Sequence, residues 1–301
     1  MKVLVAGGTG FIGAPLCRAL ASRGHEVRVV TRRPAPAASG IAHVSWDNEA
    51  WRRFLGETDA VINLAGEPIA GARWSAAHKH ALRESRLSTT RRLVDAIGEQ
   101  SHRPAALINA SAIGYYGPRG DEPLGEETAP GGDFLARICA EWEREAVRAE
   151  RLGVRVARLR IGMVLGPDGG ALAKLAVPFK LWVGGHPGSG RQWVSWVHRD
   201  DVIGLIMRAI EQPALSGPVN ATAPEPVTMA EFCRALGRAL GRPSWAPVPA
   251  LALRVIIGEM ADVLVTGQRV MPSAAQRAGF AFTFPRLPDA LAACVGRRPQ
   301  G

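Results

Sequence analysis

Short runs of aliphatic and β-branched residues alternate with amphipathic stretches along the first half of the chain. Val3 to Ala6, Glu26 to Thr31, Ala42 to Trp46, Ala60 to Leu64, Ala106 to Ser111 and Val154 to Leu159 have the length and side chains of buried strands. Helical periodicity fills most of the intervals, over Ala14 to Ser22, Ala76 to Ile97 and Asp133 to Glu150. Strands separated by helices cannot pair as hairpins, so the pattern predicts an α/β fold with a doubly wound parallel sheet. After Gly166 the alternation gives way to Gly/Pro-rich sequence with scattered helices. One helix start is clear there, the capping box from Thr228 to Glu231 ahead of Phe232, Leu236 and Leu240. The expected division is a domain over residues 1–165 and a smaller substrate-side lobe over 166–301, which returns some elements to the first.

Composition narrows the class. At 301 residues, 47% hydrophobic and 21% charged, the chain can bury a large core. It has no apolar run of about 18 residues, and Met1 leads straight into a strand, so neither a membrane span nor a signal peptide is expected. The expected compartment is the cytoplasm. Cys17, Cys139, Cys233 and Cys294 lie far apart in helix-like contexts, which suits reduced, buried thiols and no metal site. The net charge of +10 is carried almost wholly by arginine, because Lys2, Lys79, Lys174 and Lys180 are the lysines. Its short basic runs, Arg32-Arg33, Arg52-Arg53 and Arg297-Arg298, lack interleaved aromatics, which argues against nucleic acid. A small anionic partner accounts for the charge as well.

The first chemical signal is Gly7-Gly8-Thr9-Gly10-Phe11-Ile12-Gly13, between a strand and a helix. Gly7 permits a tight turn, Gly10 admits a pyrophosphate, and Gly13 lets the helix approach the strand, while the helix amino end offers amides and a favourable dipole. Together with Phe11 and Ile12 this is a dinucleotide loop of Rossmann type. The next strand ends Thr31-Arg32-Arg33, without the acidic residue that would hold the ribose diol of NAD. Two guanidiniums suit a 2′-phosphate instead, so the expected cofactor is NADP(H). Arginine is common throughout this chain, which is the competing account of the pair.

These residues, with Asn63-Leu64-Ala65-Gly66-Glu67 and Ser111-Ala112-Ile113-Gly114-Tyr115-Tyr116-Gly117, resemble the short-chain dehydrogenase/reductase superfamily on its extended, sugar-nucleotide-epimerase-like side. Arg73-Trp74, Asp133-Phe134-Leu135, Trp142-Glu143, Arg160 to Gly166, Gly188-Ser189-Gly190 and Trp196-Val197-His198 narrow the likeness to its atypical NADP-dependent epimerase-family proteins. The resemblance implies that Leu64, Ala65 and Gly66 lie against the adenine–ribose side of the cofactor. It also places the main chain at Met163 beside the nicotinamide. Lys79 and Arg86 are seven residues apart, on one helix face, and would reach phosphate or ribose or form a solvated basic face.

Catalysis is where the likeness breaks. Its active members use a Tyr-x-x-x-Lys pair on a helix, and the two tyrosines here, Tyr115 and Tyr116, have no lysine four residues on. The matching helix reads Phe134-Leu135-Ala136-Arg137-Ile138-Cys139. Ser111 would bond a substrate carbonyl or hydroxyl by resemblance, and Tyr115, Tyr116, Cys139 and His198 are substitute proton donors, with Tyr115 taken beside Ser111 as the catalytic candidate. His198 precedes what the sequence predicts to be an Asp-capped helix. Gly184 to Trp196 is the candidate substrate loop, its glycines suited to mobility. The expected function is an NADP(H)-dependent oxidoreductase or epimerase acting on an unidentified small molecule. A non-catalytic NADP(H)-binding sensor or partner-binding protein is the alternative. Monomer and homodimer both remain open.

Overall fold

A computed structural model describes residues 1–34, 36–37 and 40–296. Its centre is a seven-stranded sheet built from β1 (Lys2–Ala6), β2 (Glu26–Thr31), β3 (Ile41–Ser45), β4 (Ala60–Asn63), β5 (Ala106–Ala112), β7 (Arg155–Ile161) and β11 (Gly217–Ala221). The spatial order is β11-β7-β5-β4-β1-β2-β3. Every pairing in that sheet is parallel, so all its carboxyl ends share one edge. Three two-stranded pairs lie outside it. They join β6 (Pro123–Leu124) to β13 (Arg269–Val270), β8 (Met163–Leu165) to β10 (Trp196–His198), and β9 (Trp193–Val194) to β12 (Val227–Thr228).

The eleven α-helices among the described residues are α1 (Gly13–Ser22), α2 (Ala50–Leu55), α3 (Ala76–Gly98), α4 (Phe134–Val147), α5 (Gly170–Lys180), α6 (Arg199–Glu211), α7 (Met229–Leu240), α8 (Ala250–Ile257), α9 (Ala261–Val265), α10 (Ser273–Arg277) and α11 (Leu287–Cys294). Leu16, Cys17 and Leu20 of α1 and Val202, Ile203 and Ile206 of α6 close one sheet face, burying Val3, Val5, Val29 and Leu159. Leu93, Val94 and Ile97 of α3, with Trp51 and Phe54 of α2, close the other over Leu4, Val61 and Val156. A third core joins α5, α7 and α11 through Leu172, Phe179, Phe232, Leu236 and Leu291. All four cysteines are free and buried in helices.

Helix starts follow local chemistry. Ser75 accepts from the His78 amide at the head of α3, Asp133 from Ala136 at α4, and Thr228 and Glu231 form the expected reciprocal box at α7. The start of α6 corrects the sequence. Its cap is His198, whose Nδ1 accepts from the Asp200 amide at 3.2 Å. The buried Asp201 carboxylate turns away to accept from the amides of Thr283 and Phe284.

Helix α6 and strand β11, both beyond residue 166, belong to the central sheet layer. The Gly184–Trp196 segment is pinned. Gln192 donates to the carbonyls of Pro187 and Leu264, Trp196 is fully buried, and a Cβ on Gly185 would lie 2.0 Å from the Ala246 carbonyl oxygen. These glycines serve close packing, not the expected mobility. Arg297-Arg298 lies outside the described residues.

Candidate functional site

The carboxyl edge of the sheet gathers the glycine loop after β1, Thr31 to Arg33 after β2, Leu64 to Gly66 after β4, and Ser111 to Tyr116 after β5. The glycine loop is held by contacts that only glycine permits. Gly7 has φ +80°, and a Cβ there would lie 2.6 Å from the Leu64 carbonyl carbon, while one on Gly13 would lie 2.1 Å from the Gly7 oxygen. Helix α1 begins with no side-chain cap and no acidic residue in its first turn. Among the described residues no protein group accepts from the amides of Phe11, Ile12 or Gly13. An uncapped helix end behind a glycine cradle fits a pyrophosphate. The Phe11 side chain is held elsewhere, because Cβ atoms on Gly166 and Gly170 would lie 2.9 and 2.8 Å from its ring. Phe11 wedges the loop against the second lobe, and Arg199 covers the ring at 5.0 Å.

At the end of β2, Thr31 Oγ1 accepts from the Arg33 amide at 3.3 Å. Arg32 and Arg33 are exposed and, among the described residues, form no ion pair. The turn after β4 is braced by a polar ladder that sequence reasoning missed. Asn63 and Asn109 are paired across β4 and β5, and Asn63 Nδ2 donates to Asn109 Oδ1 at 2.7 Å and to Thr90 Oγ1 at 2.8 Å. Its Oδ1 accepts from the Ala65 amide, and Trp142 closes the network through Thr90.

Arg86 donates to the carbonyls of Leu82 and Glu67 at 2.8 and 3.0 Å and packs under Gly66. Burial lowers its pKa. It therefore props the Gly66–Glu67 turn. Lys79 pairs with Glu259 and lies 5.2 Å from the Phe134 ring centre. The shared helix face of these two cations thus engages protein groups. Met163 opens β8, its amide bonded to the Ser195 carbonyl at 2.9 Å, just beyond Gly162 at the end of β7.

Where the superfamily would place its phenol and ammonium, α4 presents Leu135 against Gly114 and a buried Cys139. Beneath them lies a buried ion pair. Arg160 of β7 binds Glu143 of α4 through Nε–Oε1 at 2.8 Å and Nη2–Oε2 at 2.9 Å. Ser111 Oγ donates to the same Glu143 Oε1 at 2.8 Å and is 3% exposed, so its hydroxyl is already engaged. Arg160 Nη1 also donates to the Tyr116 hydroxyl and the Glu126 carbonyl, both at 2.9 Å. Tyr116 donates in turn to Asn220 Oδ1 at 2.6 Å. Burial disfavours charge on Arg160, yet Glu143 outweighs it and holds the guanidinium protonated.

These contacts separate the four proton-donor candidates. Burial pushes the Tyr116 phenol up to about 12. Burial, with Glu143 nearby, does the same to the Cys139 thiol. His198 is buried, its pKa lowered, with Nδ1 committed to the α6 cap. Tyr115 alone is partly exposed, its ring centre 3.5 Å from the Arg160 guanidinium. No group of three or more metal-ligating side chains occurs among the described residues, and none of their helices is long and apolar enough to cross a membrane.

A parallel seven-stranded sheet with a glycine cradle and a strand-end serine defines a dinucleotide-binding protein of the extended short-chain dehydrogenase/reductase type. Residues 3–221 match the family model described as NAD dependent epimerase/dehydratase family, and the chain belongs to that family. Residues 248–294 match a domain of unknown function, DUF1731. Epimerase family protein Mb2239 of Mycobacterium bovis is 44% identical over 293 residues, 96% of each chain. The Arabidopsis thaliana protein named epimerase family protein SDR39U1 homolog, chloroplastic, is 42% identical over 303 residues, covering 98% of this chain and 87% of its own length. The crystal structure of human epimerase family protein SDR39U1 (isoform 2) with NADPH superposes with a TM-score of 0.90 at 35% identity, over 98% of this chain and 99% of that one.

Proposed function

We propose that the chain binds NADP(H) along the carboxyl edge of its sheet and uses it in a redox step on a small molecule, as an oxidoreductase or epimerase. The carrying observation is the glycine cradle of Gly7, Gly10 and Gly13 with its unclaimed amides, beside two arginines without a carboxylate partner. The amides of Phe11, Ile12 and Gly13 would hold the pyrophosphate, and Arg32 and Arg33, with Thr31, the 2′-phosphate. Main chain at Leu64 to Gly66 and at Met163 would flank the adenosine and nicotinamide ends. Lys79 and Arg86 act one step back, positioning the wall of the cleft through Glu259 and Glu67. NADP(H) supplies or accepts the hydride. The human relative crystallised with NADPH supports this cofactor.

In this proposal residues 1–165 form the cofactor domain and 166–301 the substrate-side lobe, with α6 and β11 returned to the sheet. The compartment is the cytoplasm, which the free cysteines suit. Tyr115 is the proton-transfer residue, being the one candidate not sealed by its partners. Ser111 donates to a substrate carbonyl only if its hydroxyl leaves Glu143, while its oxygen is still able to accept from a substrate hydroxyl. That engagement is also what favours the second reading, a cofactor-bound sensor without turnover.

The test is label transfer from stereospecifically deuterated NADPH to a panel of carbonyl compounds and nucleotide sugars. The expected outcome is transfer to at least one class, abolished in Tyr115→Phe while NADPH still binds. Tight NADPH binding with no transfer to any compound would select the sensor.

A further inference from the structure

Arginines on the two flanks of α4 are treated differently. Toward α3, each finds a carboxylate: Arg83 with Glu141 at 2.7 Å, Arg91 with Glu145 at 2.7 Å, and Arg148 with Asp95 at 2.6 Å. The other flank borders a groove of about 690 Å³ between α4 and β7, within the range of small-molecule sites. Two arginines lining it, Arg144 and Arg151, form no ion pair among the described residues, while a third, Arg148, reaches it from its pairs with Asp95 and Glu145. Arg158, standing on β7, comes no closer than 3.4 Å to Glu143, whose two oxygens Arg160 already holds. Arg158 Nε is buried with no hydrogen-bond partner. Tyr115, Pro130 and Val147 supply a less polar wall.

Arg144 and Arg151 have no counter-charge among the described residues and Arg158 shares Glu143 with Arg160, so the groove keeps an excess of positive charge although neighbouring arginines are neutralised. We infer that this groove is a second binding site, for an organic phosphate, distinct from the dinucleotide cleft. Arg144, Arg151 and Arg158 hold the phosphate by forked, charge-assisted hydrogen bonds, while Tyr115 and Pro130 cover the organic part. A single carboxylate would leave excess positive charge, whereas a di-anionic or more highly charged group matches three cations. The groove flanks β7, three strand spacings or about 14 Å from the glycine loop strand β1. It meets the candidate catalytic end at Tyr115, whose ring rests on Arg160, and at Glu143, which accepts from Ser111.

Titration calorimetry at low ionic strength tests this on the full chain saturated with NADPH, using inorganic pyrophosphate and ADP as probes. Both are expected to bind, ADP more tightly because its ring system meets the Tyr115 wall. Arg144→Gln/Arg151→Gln and Arg158→Gln should each weaken both probes at least tenfold, with NADPH affinity unchanged. Arg242→Gln, on the exposed surface beside Trp182, should change neither. Because Arg144 and Arg151 are exposed, that pair remains informative even if Arg158→Gln fails to fold. Absence of binding, equal binding by the groove variants, or loss of pyrophosphate binding in Arg32→Ala would each overturn the site. Equal affinity for ADP and pyrophosphate would overturn its assignment to an organic phosphate.

Discussion

At the scale of single residues, the two ends of the site carry charge in opposite ways. Arg32 is exposed and, among the described residues, has no acidic partner, so its guanidinium is available to a ligand. A charge-assisted hydrogen bond contributes about 1.5–3 kcal/mol, which is roughly 10- to 100-fold in affinity. Arg32→Ala is therefore expected to weaken NADPH by about that factor and leave NADH unchanged, as calorimetry would register; equal losses for both would remove the 2′-phosphate role. Arg160 is 2% exposed and held by one acid, so removing that acid strands a buried cation. Glu143→Leu should cost about 3–5 kcal/mol in urea unfolding. Glu143→Leu with Arg160→Met should recover much of that loss, because an apolar pair replaces the ion pair. If the double variant is as unstable as the sum of the singles, the pair is not the coupled unit described. Neither Arg160 nor Glu143 was singled out as a buried partner by sequence, because they lie 17 positions apart and meet only when α4 crosses β7. In a chain so rich in arginine, nothing local distinguishes a buried guanidinium from a solvated one.

At the scale of elements, the alternation of strands and helices was legible because each sheet strand but one is a run of four to seven residues carrying aliphatic side chains, well buried in all of them except β3. The exception, β11, opens Gly217-Pro218 and hides its strand character. The two- and three-residue strands outside the central sheet carry no periodicity to read. Glycine at Gly7 and Gly13 was legible for the reason the structure gives, steric necessity. The Asn63–Asn109 ladder was not, since it depends on register between β4 and β5. The cap of α6 was misread because Asp200 and Asp201 outrank histidine in capping preference. The histidine cap has a consequence in pH. A ring nitrogen that accepts the Asp200 amide carries no proton, and burial, with Arg199 nearby, lowers the His198 pKa below 6.5 against the pull of Asp200 and Asp201, which raise it. As pH falls below 6.5 the unfolded chain takes up the proton first, so this contribution is complete above 6.5 and lost on acidification. Asp201, raised by burial from 3.8, acts in the opposite sense at lower pH. His198→Asn keeps a capping acceptor and should flatten the fall in stability just below pH 6.5. An unchanged profile in denaturant titrations would assign that fall to other groups, His25 among them, whose pKa burial also lowers.

At the scale of the whole molecule, the surface decides how copies meet. The resemblance to extended short-chain dehydrogenases implies a dimer face on α3 and α4. Here that face carries Glu84, Arg91, Asp95, Glu141, Glu145 and Arg148, several already tied to one another within the chain. Pairing it with a second copy would strip water from ions whose partners are satisfied, at a cost that Coulomb attraction does not return. Exposed apolar residues lie instead on the second lobe, where Leu181 and Trp182 of the α5 exit stand beside Trp245. Sedimentation velocity at micromolar concentration should therefore give the mass of one chain, and Glu145→Ala with Arg148→Ala should leave it so. A dimer that persists in Leu181→Ser/Trp182→Ser and dissociates in the α4 pair would restore the helix face as the interface. A dimer with the reverse sensitivity would move the interface to the second lobe.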